Sequence, residues 1–299
     1  MKIPSWTIVL ALSLASLAIL PAMEVVIASY NLKNYLPMAR QVGGKMLPDQ
    51  PKPEKEIHAA LDVLSEIKPD ILGVVEMGDE KVLAEFQSRL ASVGLEYPYA
   101  EWVQGADESR HIALLSRFPI ITRISRSRIP VELNGRFFQM CRGILDVTLQ
   151  ITPTSTLRLV GLHLKSQRLV PEYDEAKFRA RESIAVRAHL DSILKEAPDT
   201  DLLVFGDLND SKNEFPVQEI LGPPKSPMAL RDIRLKDRWG FTWTHYWAEA
   251  DIYSRFDYLL ANQSLWPKIN MGRSGINSSP EWARASDHRA IFTQLSFPE

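Results

Sequence analysis

Two polar clusters about eighty residues apart carry the residue types of a hydrolytic site. The first, Gly206-Asp207-Leu208-Asn209-Asp210, directly follows the apolar run 202–205. The second, Ser286-Asp287-His288, leads into an apolar stretch at 290–292. Polar side chains at the carboxyl end of a buried strand lie where open α/β sheets bind their ligands. We therefore expect a carboxylate, an amide and an imidazole to converge on one cleft.

Further candidates end predicted strands or follow them directly, namely Asn31, Glu76 and His163. Glu76 and Asp287 offer hard oxygen ligands, and with Asn31 they suit Mg²⁺ or Mn²⁺, which bind through one or two carboxylates together with a substrate phosphate. Such an ion would neutralise a phosphoryl oxygen as its bond breaks. Zinc fits less well, because the pattern offers two histidines without a cysteine or a third histidine.

Asp257 stands inside the strongly apolar segment 256–260. A buried carboxylate is costly unless it is paired, and an imidazole is a suitable partner because the carboxylate orients the ring and stabilises its protonated form. We expect Asp257 to orient His288 in this way. The alternative is an aspartate satisfied by backbone amides at a strand edge.

The elements that must position these residues follow an alternating pattern. A strand at 24–30, an amphipathic helix at 57–67 and a strand at 69–75 form one strand-helix-strand unit, and a second helix follows at 79–91. A long helix at 173–195 leads into the strand before Asp207. Further strands are predicted at 97–102, 111–116, 143–151, 157–163, 241–247, 256–260 and 290–295. This order favours a four-layer α/β sandwich, with two mixed β-sheets packed face to face and the helices outside.

Composition sets broad limits. A chain of 299 residues with 45% hydrophobic content can bury a large core, and we expect a single domain over residues 24–299. The net charge of -2 gives no global attraction to nucleic acid or anionic membranes, so an anionic substrate must be met by local charge. The single Cys141 excludes an internal disulfide and a cysteine-rich zinc site.

The N-terminus differs from the rest of the chain. Lys2 precedes an uncharged stretch at 3–23 with an apolar core at 6–20. This pattern predicts a signal peptide over residues 1–22 and hence a secreted or periplasmic protein. An uncleaved membrane anchor and an ordinary buried helix are the alternatives. The cleavage site stays open, because Ser16 and Ala18 offer a small-residue pattern, whereas cleavage after Ala22 would place Leu20 at a position that prefers a small residue.

Taken together and in order, these motifs resemble the endonuclease/exonuclease/phosphatase superfamily, which includes DNase I-like nucleases, abasic-site endonucleases, neutral sphingomyelinases and inositol polyphosphate 5-phosphatases. The resemblance covers essentially the whole chain after the N-terminal segment. The matching stretches are residues 29–31, 75–76, 113–119, 161–165, 206–209, 256–260 and 286–288. It implies a DNase I-like sandwich and metal-dependent hydrolysis of phosphodiesters or phosphomonoesters.

The resemblance also implies roles for single residues. Glu76 would be the principal metal ligand, completed by Asn31 and Asp287. Asp207 and Asn209 would orient the attacking water and the phosphate. The other implied positions are His288 with Asp257 as general base or transition-state stabiliser, and His163 as support for the leaving group. Asp207 and His288 both qualify as the base.

One position departs from the family pattern. Many relatives carry an acidic residue two positions after the strand-end Asn31, where this chain has Lys33. The departure weakens any proposal of two metal ions. Lys33 either meets a phosphate or is a plain exposed lysine.

Substrate contacts are predicted from residues beside the motifs. Arg110, Lys165 and Arg142 could bind non-bridging phosphate oxygens. Trp243, in an aromatic cluster before Asp257, could stack on a base, enter lipid, or simply pack in a half-buried strand.

The function predicted from the sequence is an exported, monomeric, Mg²⁺-dependent nuclease or phosphodiesterase acting on DNA or RNA. A phospholipid phosphodiesterase of the sphingomyelinase type, which would act on membrane lipid, or an inositol-phosphate phosphatase is the alternative. A non-catalytic binding module on the same fold is disfavoured, because every expected catalytic position is filled.

Overall fold

The computed structural model describes residues 22–299, which contain 18 strands and five α-helices. Of the N-terminal segment predicted as a signal peptide, residues 1–21 lie outside this range. No helix within residues 22–299 combines the length and the apolar character needed to cross a bilayer.

The strands and helices are given in chain order. The strands are β1 (Ala22–Tyr35), β2 (Met38–Val42), β3 (Lys45–Gln50), β4 (Ile71–Met77), β5 (Tyr99–Val103), β6 (His111–Ser116), β7 (Ile120–Arg123), β8 (Pro130–Leu133), β9 (Arg136–Gln139), β10 (Leu145–Thr152), β11 (Ser155–His163), β12 (Leu202–Asp207), β13 (Arg231–Asp232), β14 (His245–Trp247), β15 (Ile252–Ser254), β16 (Asp257–Ala261), β17 (Ile269–Ile276) and β18 (Ile291–Pro298). The helices are α1 (Glu54–Ile67), α2 (Glu80–Ser92), α3 (Glu175–Glu196), α4 (Phe215–Leu221) and α5 (Trp282–Ala285), with a 3₁₀ turn at Trp266–Lys268.

Two six-stranded sheets organise the molecule. The first has the order β17-β18-β1-β4-β6-β5 and the second the order β13-β16-β12-β11-β10-β7. Each sheet contains one parallel pair near its middle, β1 with β4 and β11 with β12, and each parallel pair is joined through a crossover that contains α1 or α3. The three remaining pairs, β2–β3, β8–β9 and β14–β15, are separate hairpins.

Three hydrophobic clusters separate four layers. One lies between the two sheets, one between the first sheet and helices α1 and α2, and one between the second sheet and helices α3 and α4. Phe205 reaches across the middle of the sandwich, and a Cβ at Gly73 or Gly161 would collide with its ring. Glycine is therefore required at both positions, and the predicted four-layer α/β sandwich is confirmed.

The parallel pairs decide where polar side chains can meet. In the first sheet Asn31 is level with Val75, the residue before Glu76. In the second sheet His163 is level with Asp207, and Asp207 is level with Asp257 on β16. The carboxyl ends of β1, β4, β11 and β12 lie at one edge of the sandwich, together with the amino end of the antiparallel β16. Both sheets therefore deliver polar residues to the same place.

Several local predictions differ from the structure. Strands β1 and β4 continue past Asn31 and Glu76 instead of ending before them. The strand predicted at 241–247 shortens to β14, at 245–247. Helix α2 is capped by Asp79, whose carboxylate accepts hydrogen bonds from the N–H groups of residues 81 and 82. Glu76, which precedes this helix, is therefore not its capping residue.

Candidate active site

Asp207 is presented by an unusual backbone. Gly206 has φ +133°, and a Cβ there would overlap the carbonyl oxygen of Leu162 on the neighbouring strand. Only glycine tolerates this close approach. The chain then turns through Asn209, which has φ +51°, and the N–H of Asn209 donates to Oδ1 of Asp207 at 2.8 Å. The Gly-Asp-x-Asn pattern therefore holds the carboxylate in a fixed position at the end of β12.

The second oxygen of Asp207 lies at the centre of the polar cluster. Its Oδ2 accepts a hydrogen bond from Nδ2 of Asn31 at 3.0 Å. The same oxygen lies 3.7 Å from Nε2 of His288 and 3.8 Å from Nε2 of His163. All four side chains are buried. Residues that are up to 257 positions apart in the chain thus converge around one carboxylate oxygen.

Asp257 pairs with His288. Oδ2 of Asp257 accepts a hydrogen bond from Nδ1 of His288 at 2.8 Å, which turns Nε2 of the ring towards Asp207. The other oxygen, Oδ1, has no hydrogen-bond partner among residues 22–299. The side chain of Asp257 is therefore engaged by the imidazole and not by backbone amides, the alternative that the sequence left open.

Burial and neighbouring charges set the protonation of this cluster. Burial raises the pKa of Asp207 to about 7, although the positive charge of His288 opposes the shift. Burial alone would lower the pKa of His288, but the carboxylates of Asp257 and Asp207 outweigh it and raise that pKa to about 10. At neutral pH the imidazole is therefore an imidazolium between two carboxyl groups.

His163 has the opposite electrostatic environment. Burial, followed by the positive charges of Arg142, His288 and Arg110, holds the pKa of His163 well below its usual range. Its ring is therefore neutral, and its Nδ1 has no hydrogen-bond partner within the described part of the chain. The site combines a neutral and a charged imidazole on two sides of Asp207.

The predicted metal ligands surround the same edge. Nδ2 of Asn31 lies 3.4 Å from Oε1 of Glu76. Ser286 donates through Oγ to the carbonyl oxygen of Asn31 at 2.8 Å and lies 3.4 Å from Oδ1 of Asp287. Asn31 is thus linked to Glu76 on one side and to Asp287 on the other. Lys33 approaches Asp287 at 3.9 Å and is half exposed.

Left-handed backbone conformations concentrate at these strand ends. Glu76 has φ +60°, Lys33 has φ +47° and Asn34 has φ +56°. Such conformations are uncommon for residues other than glycine and persist where the surrounding structure enforces them. The N–H of Asn34 donates to Oε2 of Glu76 at 2.8 Å, so the strained loop holds the Glu76 carboxylate in place.

Two sets of side chains could hold a cation. Asp207, Asp257 and His288 offer ligand atoms that all lie within 4.8 Å of one another. A metal ion fits this set poorly, because the imidazole of His288 is hydrogen-bonded to Asp257 and carries a positive charge of its own. Glu76, Asp287 and the side-chain oxygen of Asn31 are hard donors that suit Mg²⁺ or Mn²⁺ better. The cation beside them, Lys33, lies 3.9 Å from Asp287, and its backbone N–H donates to the Asn31 oxygen at 3.0 Å.

The predicted phosphate-binding cations lie together. A cleft of about 780 Å³ is lined by Glu76, Arg110, Arg142 and Lys165, among other residues. Nε of Arg110 donates to Oδ1 of Asn34 at 2.7 Å, next to the Glu76 loop. The three cations therefore extend the site from the candidate metal centre along one side.

Trp243 lies elsewhere. It lines a separate cavity of about 600 Å³ with Trp239, Phe241, Tyr253 and Trp282. Its ring stacks on the guanidinium of the buried Arg289, 4.2 Å from the ring centroid. None of the predicted catalytic or metal-binding residues lines this cavity. Contact between Trp243 and substrate stays a prediction.

Sequence reasoning missed the segment that ties the cluster together. Thr244 is fully buried, and its Oγ1 accepts hydrogen bonds from the N–H groups of Phe256 and Asp257, both at 3.1 Å. The ring of His245 packs against that of His288 with centroids 4.6 Å apart. The only signal in the sequence was their position shortly before Asp257.

The chain was compared with known proteins. It matches the model of the Endonuclease/Exonuclease/phosphatase family over residues 28–288. No curated protein sequence matches it significantly. Solved structures do match, and at the identities given below their likeness concerns the fold.

Three similar structures come from different organisms. The human Nocturnin catalytic domain with bound sulfate anion has a TM-score of 0.60 and 16% identity, covering 92% of this chain and 94% of that chain. Truncated Caenorhabditis elegans TDP2 has a TM-score of 0.59 and 16% identity, covering 91% and 97%. Beta toxin from Staphylococcus aureus has a TM-score of 0.62 and 15% identity, covering 90% and 99%.

Proposed function

Because this chain belongs to the endonuclease/exonuclease/phosphatase family, we propose that it is a Mg²⁺- or Mn²⁺-dependent phosphodiesterase that cleaves DNA or RNA. Enzymes of this family hydrolyse phosphate esters and generally use a divalent metal. The observation that carries the proposal is the convergence of Asn31, His163 and His288 on one carboxylate oxygen of Asp207, with Glu76 beside them.

The proposed base is Asp207. His288 has a raised pKa and already carries its proton at neutral pH, so it cannot accept one from water. Asp207, with a pKa near 7, can accept that proton, and its position is fixed by Asn31 and Asn209. We therefore propose Asp207 as the base, a choice that the sequence left open between the two residues.

The two histidines are proposed to act on the phosphate. The His288 imidazolium, held by Asp257, would stabilise negative charge that develops on the phosphoryl oxygens. Neutral His163, on the other side of Asp207, would donate a hydrogen bond to the leaving oxygen. Asn209, whose Nδ2 donates to the carbonyl oxygen of Leu164 at 3.0 Å, would orient the substrate through its amide oxygen.

A divalent ion fits the donor set that remains. Glu76, Asp287 and Asn31 would hold it, and it would supply charge neutralisation at the phosphoryl oxygen. The strained backbone at Glu76 supports this role, because the loop fixes a carboxylate that has no lysine or arginine bonded to it within the described residues. Lys33, 3.9 Å from Asp287, stands where many relatives carry a further acidic residue, so the proposal is for one ion and not two.

A phospholipid phosphodiesterase is the second candidate. The exposed side chains of Trp239, Phe241 and Trp247 favour it, since large exposed aromatic groups are suited to a lipid surface. Nucleic acid is favoured over lipid by the cationic cleft beside Glu76.

The test is an activity screen of the purified protein. Plasmid DNA, RNA, sphingomyelin and inositol polyphosphates are incubated with it in Mg²⁺, in Mn²⁺ or in chelator. We expect nicking or degradation of nucleic acid that stops in chelator and falls by about 10²–10⁴-fold in Asp207→Asn and His288→Ala. Asp199→Asn, an exposed residue before β12, is the control and should retain full activity. Turnover of lipid alone would favour the second candidate, and no turnover of any substrate would contradict both.

We also propose that the protein is exported and monomeric. The apolar stretch at 3–23 supports export, and its test is the mass of the protein recovered from outside the cytoplasm, which should lack the first twenty or so residues. Recovery of the full-length chain in a membrane fraction would favour an anchor instead. The mass of the mature protein in solution by light scattering tests the monomer.

A further inference from the structure

The cleft beside Glu76 has two chemically different parts. Its inner wall carries the cations of Arg110, Arg142 and Lys165, and its rim carries apolar side chains that include Phe138 and Leu169. Leu169 is 81% exposed, so the rim is open to a ligand. The cleft begins at Glu76 and leads away from the reacting centre, and it is therefore placed to receive a neighbouring part of the substrate.

Arg142 is built into the wall of this cleft. Its side chain is more than nine-tenths buried, yet its hydrogen bonding is incomplete. Nη2 lies 3.2 Å from Oδ2 of Asp107, Nη1 reaches the Leu164 carbonyl oxygen at only 3.4 Å, and Nε has no partner among residues 22–299. A buried guanidinium with unused donors is costly unless a ligand completes it.

The neighbouring cations are also incompletely neutralised. Arg110 approaches the same Asp107 carboxylate, at 3.8 Å, so two guanidinium groups share one acid. Lys165 contacts only neutral oxygens, the carbonyls of Ser166 and Arg168 at 3.0 and 2.9 Å and the Ser166 hydroxyl. Glu182, buried beneath the wall, bonds to the backbone N–H groups of Cys141 and Lys165 and not to these side chains.

The field of these cations reaches the reacting centre. Arg142, Arg110 and Lys165 all contribute, after burial, to the low pKa of His163. An anion in the cleft would relieve this repulsion and satisfy the free donors. The scissile phosphate itself would lie at Asp207 and His288, so the anion that fills the cleft is a different group.

We propose that this cleft, lined by Arg110, Arg142 and Lys165, binds a second phosphate of the substrate, next to the one that is cleaved. The proposal rests on the proposed phosphodiesterase function and names its substrate class, which is nucleotides and oligonucleotides with at least two phosphates. A phosphodiester whose headgroup carries a quaternary ammonium is selected against, because its cation would face three others. The apolar rim offers packing for the attached nucleoside.

The experiment compares three thymidine dinucleotides with Mg²⁺. One has only the internal phosphodiester, and the other two carry an additional phosphate at the 5′ or the 3′ end. We expect the additional phosphate at one end to raise kcat/KM by about tenfold, mainly through a lower KM, since a phosphate held by arginines adds a charge-assisted contact. The readout is the ratio of kcat/KM with the additional phosphate to kcat/KM without it. A general loss of activity lowers both values and leaves this ratio unchanged.

Variants identify the residues responsible. Arg142→Gln and Arg110→Gln should each reduce the ratio towards one, whatever they do to the single-phosphate substrate. Arg110 is more exposed than Arg142 and serves as the second variant if Arg142→Gln fails to fold. Arg117→Gln is the matched control, because Arg117 is an exposed arginine paired with Asp70 at the opposite end of β4, and it should keep the ratio of the unchanged protein.

Binding is measured separately from cleavage. Calorimetry on Asp207→Asn should give at least fivefold tighter binding of the dinucleotide with the additional phosphate, and this gain should disappear in the double variant with Arg142→Gln. Equal kcat/KM and equal affinity for all three dinucleotides would overturn the second-phosphate site. Absence of cleavage with a preserved difference in affinity would overturn the proposed function and leave the site standing.

Discussion

At the scale of single residues, the ends of apolar runs explain why so much of the candidate site could be read from the sequence. Asn31, Glu76, His163 and Asp207 each stand where an apolar run stops, and the two parallel strand pairs bring them to one edge. What the sequence could not supply was their protonation. The pKa values of Asp207 and His288 depend on burial and on each other's charge, and both arise only from the folded arrangement.

His163 gives a prediction about pH and stability. Its pKa is held below the ordinary value of about 6.5 in the folded protein. Below that pH the unfolded chain takes up a proton that the folded chain refuses, so the stabilising contribution is present above pH 6.5 and is lost as the pH falls. We expect the free energy of unfolding to lose about 2 kcal/mol between pH 7 and pH 5 from this residue.

The measurement is denaturant unfolding of the protein and of His163→Gln at both pH values. Between pH 7 and pH 5 the unchanged protein should lose more stability than His163→Gln, because glutamine does not titrate. His58→Gln, at an exposed position on α1, should show the same pH dependence as the unchanged protein. A pH-independent difference for His163→Gln would contradict the prediction.

At the scale of elements, the sequence predicted those whose burial is one-sided or complete. The helical spacing of Ile57, Ala60, Leu61 and Leu64 corresponds to the buried face of α1. The hairpin β2–β3 was missed because it is almost wholly exposed and has no alternating pattern. Helix α4, with seven residues, is too short for a periodic signal.

The segment Thr244–Tyr246 acts as a brace between the sheets. Thr244 holds the N–H groups of Phe256 and Asp257 at β16, and its carbonyl oxygen accepts from the N–H of Arg289 at 2.7 Å, beside His288. Asp257 lies on β16 of the second sheet, and His288 lies three residues before β18 of the first, so this brace helps to set their separation. The sequence could not reveal it, because the contacts are made largely by backbone atoms.

Substitution of Thr244 tests the brace. Thr244→Val keeps the shape but leaves two buried N–H groups without an acceptor, and we expect a loss of about 1–3 kcal/mol in stability. We also expect kcat to fall by about tenfold or more with little change in KM, because the Asp257–His288 pair is misaligned. Thr244→Ser keeps the hydroxyl and should restore most of both.

The readout that separates positioning from stability is the NMR signal of the His288 Nδ1 proton. It should move in Thr244→Val and return in Thr244→Ser at a temperature where all three proteins are folded. An unchanged signal together with unchanged kcat in Thr244→Val would show that the brace is structural only.

At the scale of the whole molecule, the site depends on how closely the sheets approach. Phe205 fills the space that Gly73 and Gly161 leave between them. The residue just beyond Phe205 and Gly206 is Asp207, so the packing of this ring and the position of the carboxylate are linked through β12. Sequence predicted the sandwich, but not which glycines set its thickness.

Two alanine substitutions measure this constraint. Gly161→Ala would bring a Cβ to 2.6 Å from Cζ of Phe205, and we expect it to destabilise the fold by about 1–3 kcal/mol through overpacking. Gly272→Ala is the control, because a Cβ there meets only Oδ1 of Asn270 at 3.5 Å. Thermal unfolding compares them, and equal midpoints would show that the sheets can move apart at no cost.

Charge provides the last constraint at this scale. Four carboxylates crowd one edge of the sandwich, those of Glu76, Asp207, Asp257 and Asp287, and the nearest cations are His288 and Lys33.

A divalent ion that binds only the folded protein stabilises it by mass action, by about 2.7 kcal/mol at a hundred times its dissociation constant. We therefore expect Mg²⁺ or Mn²⁺ to raise the unfolding midpoint and a chelator to reverse the rise. Glu76→Gln should abolish the rise, whereas Asp199→Asn should keep it. A rise that persists in Glu76→Gln would move the ion to the Asp207–Asp257–His288 cluster and overturn the assignment of Glu76 as its principal ligand.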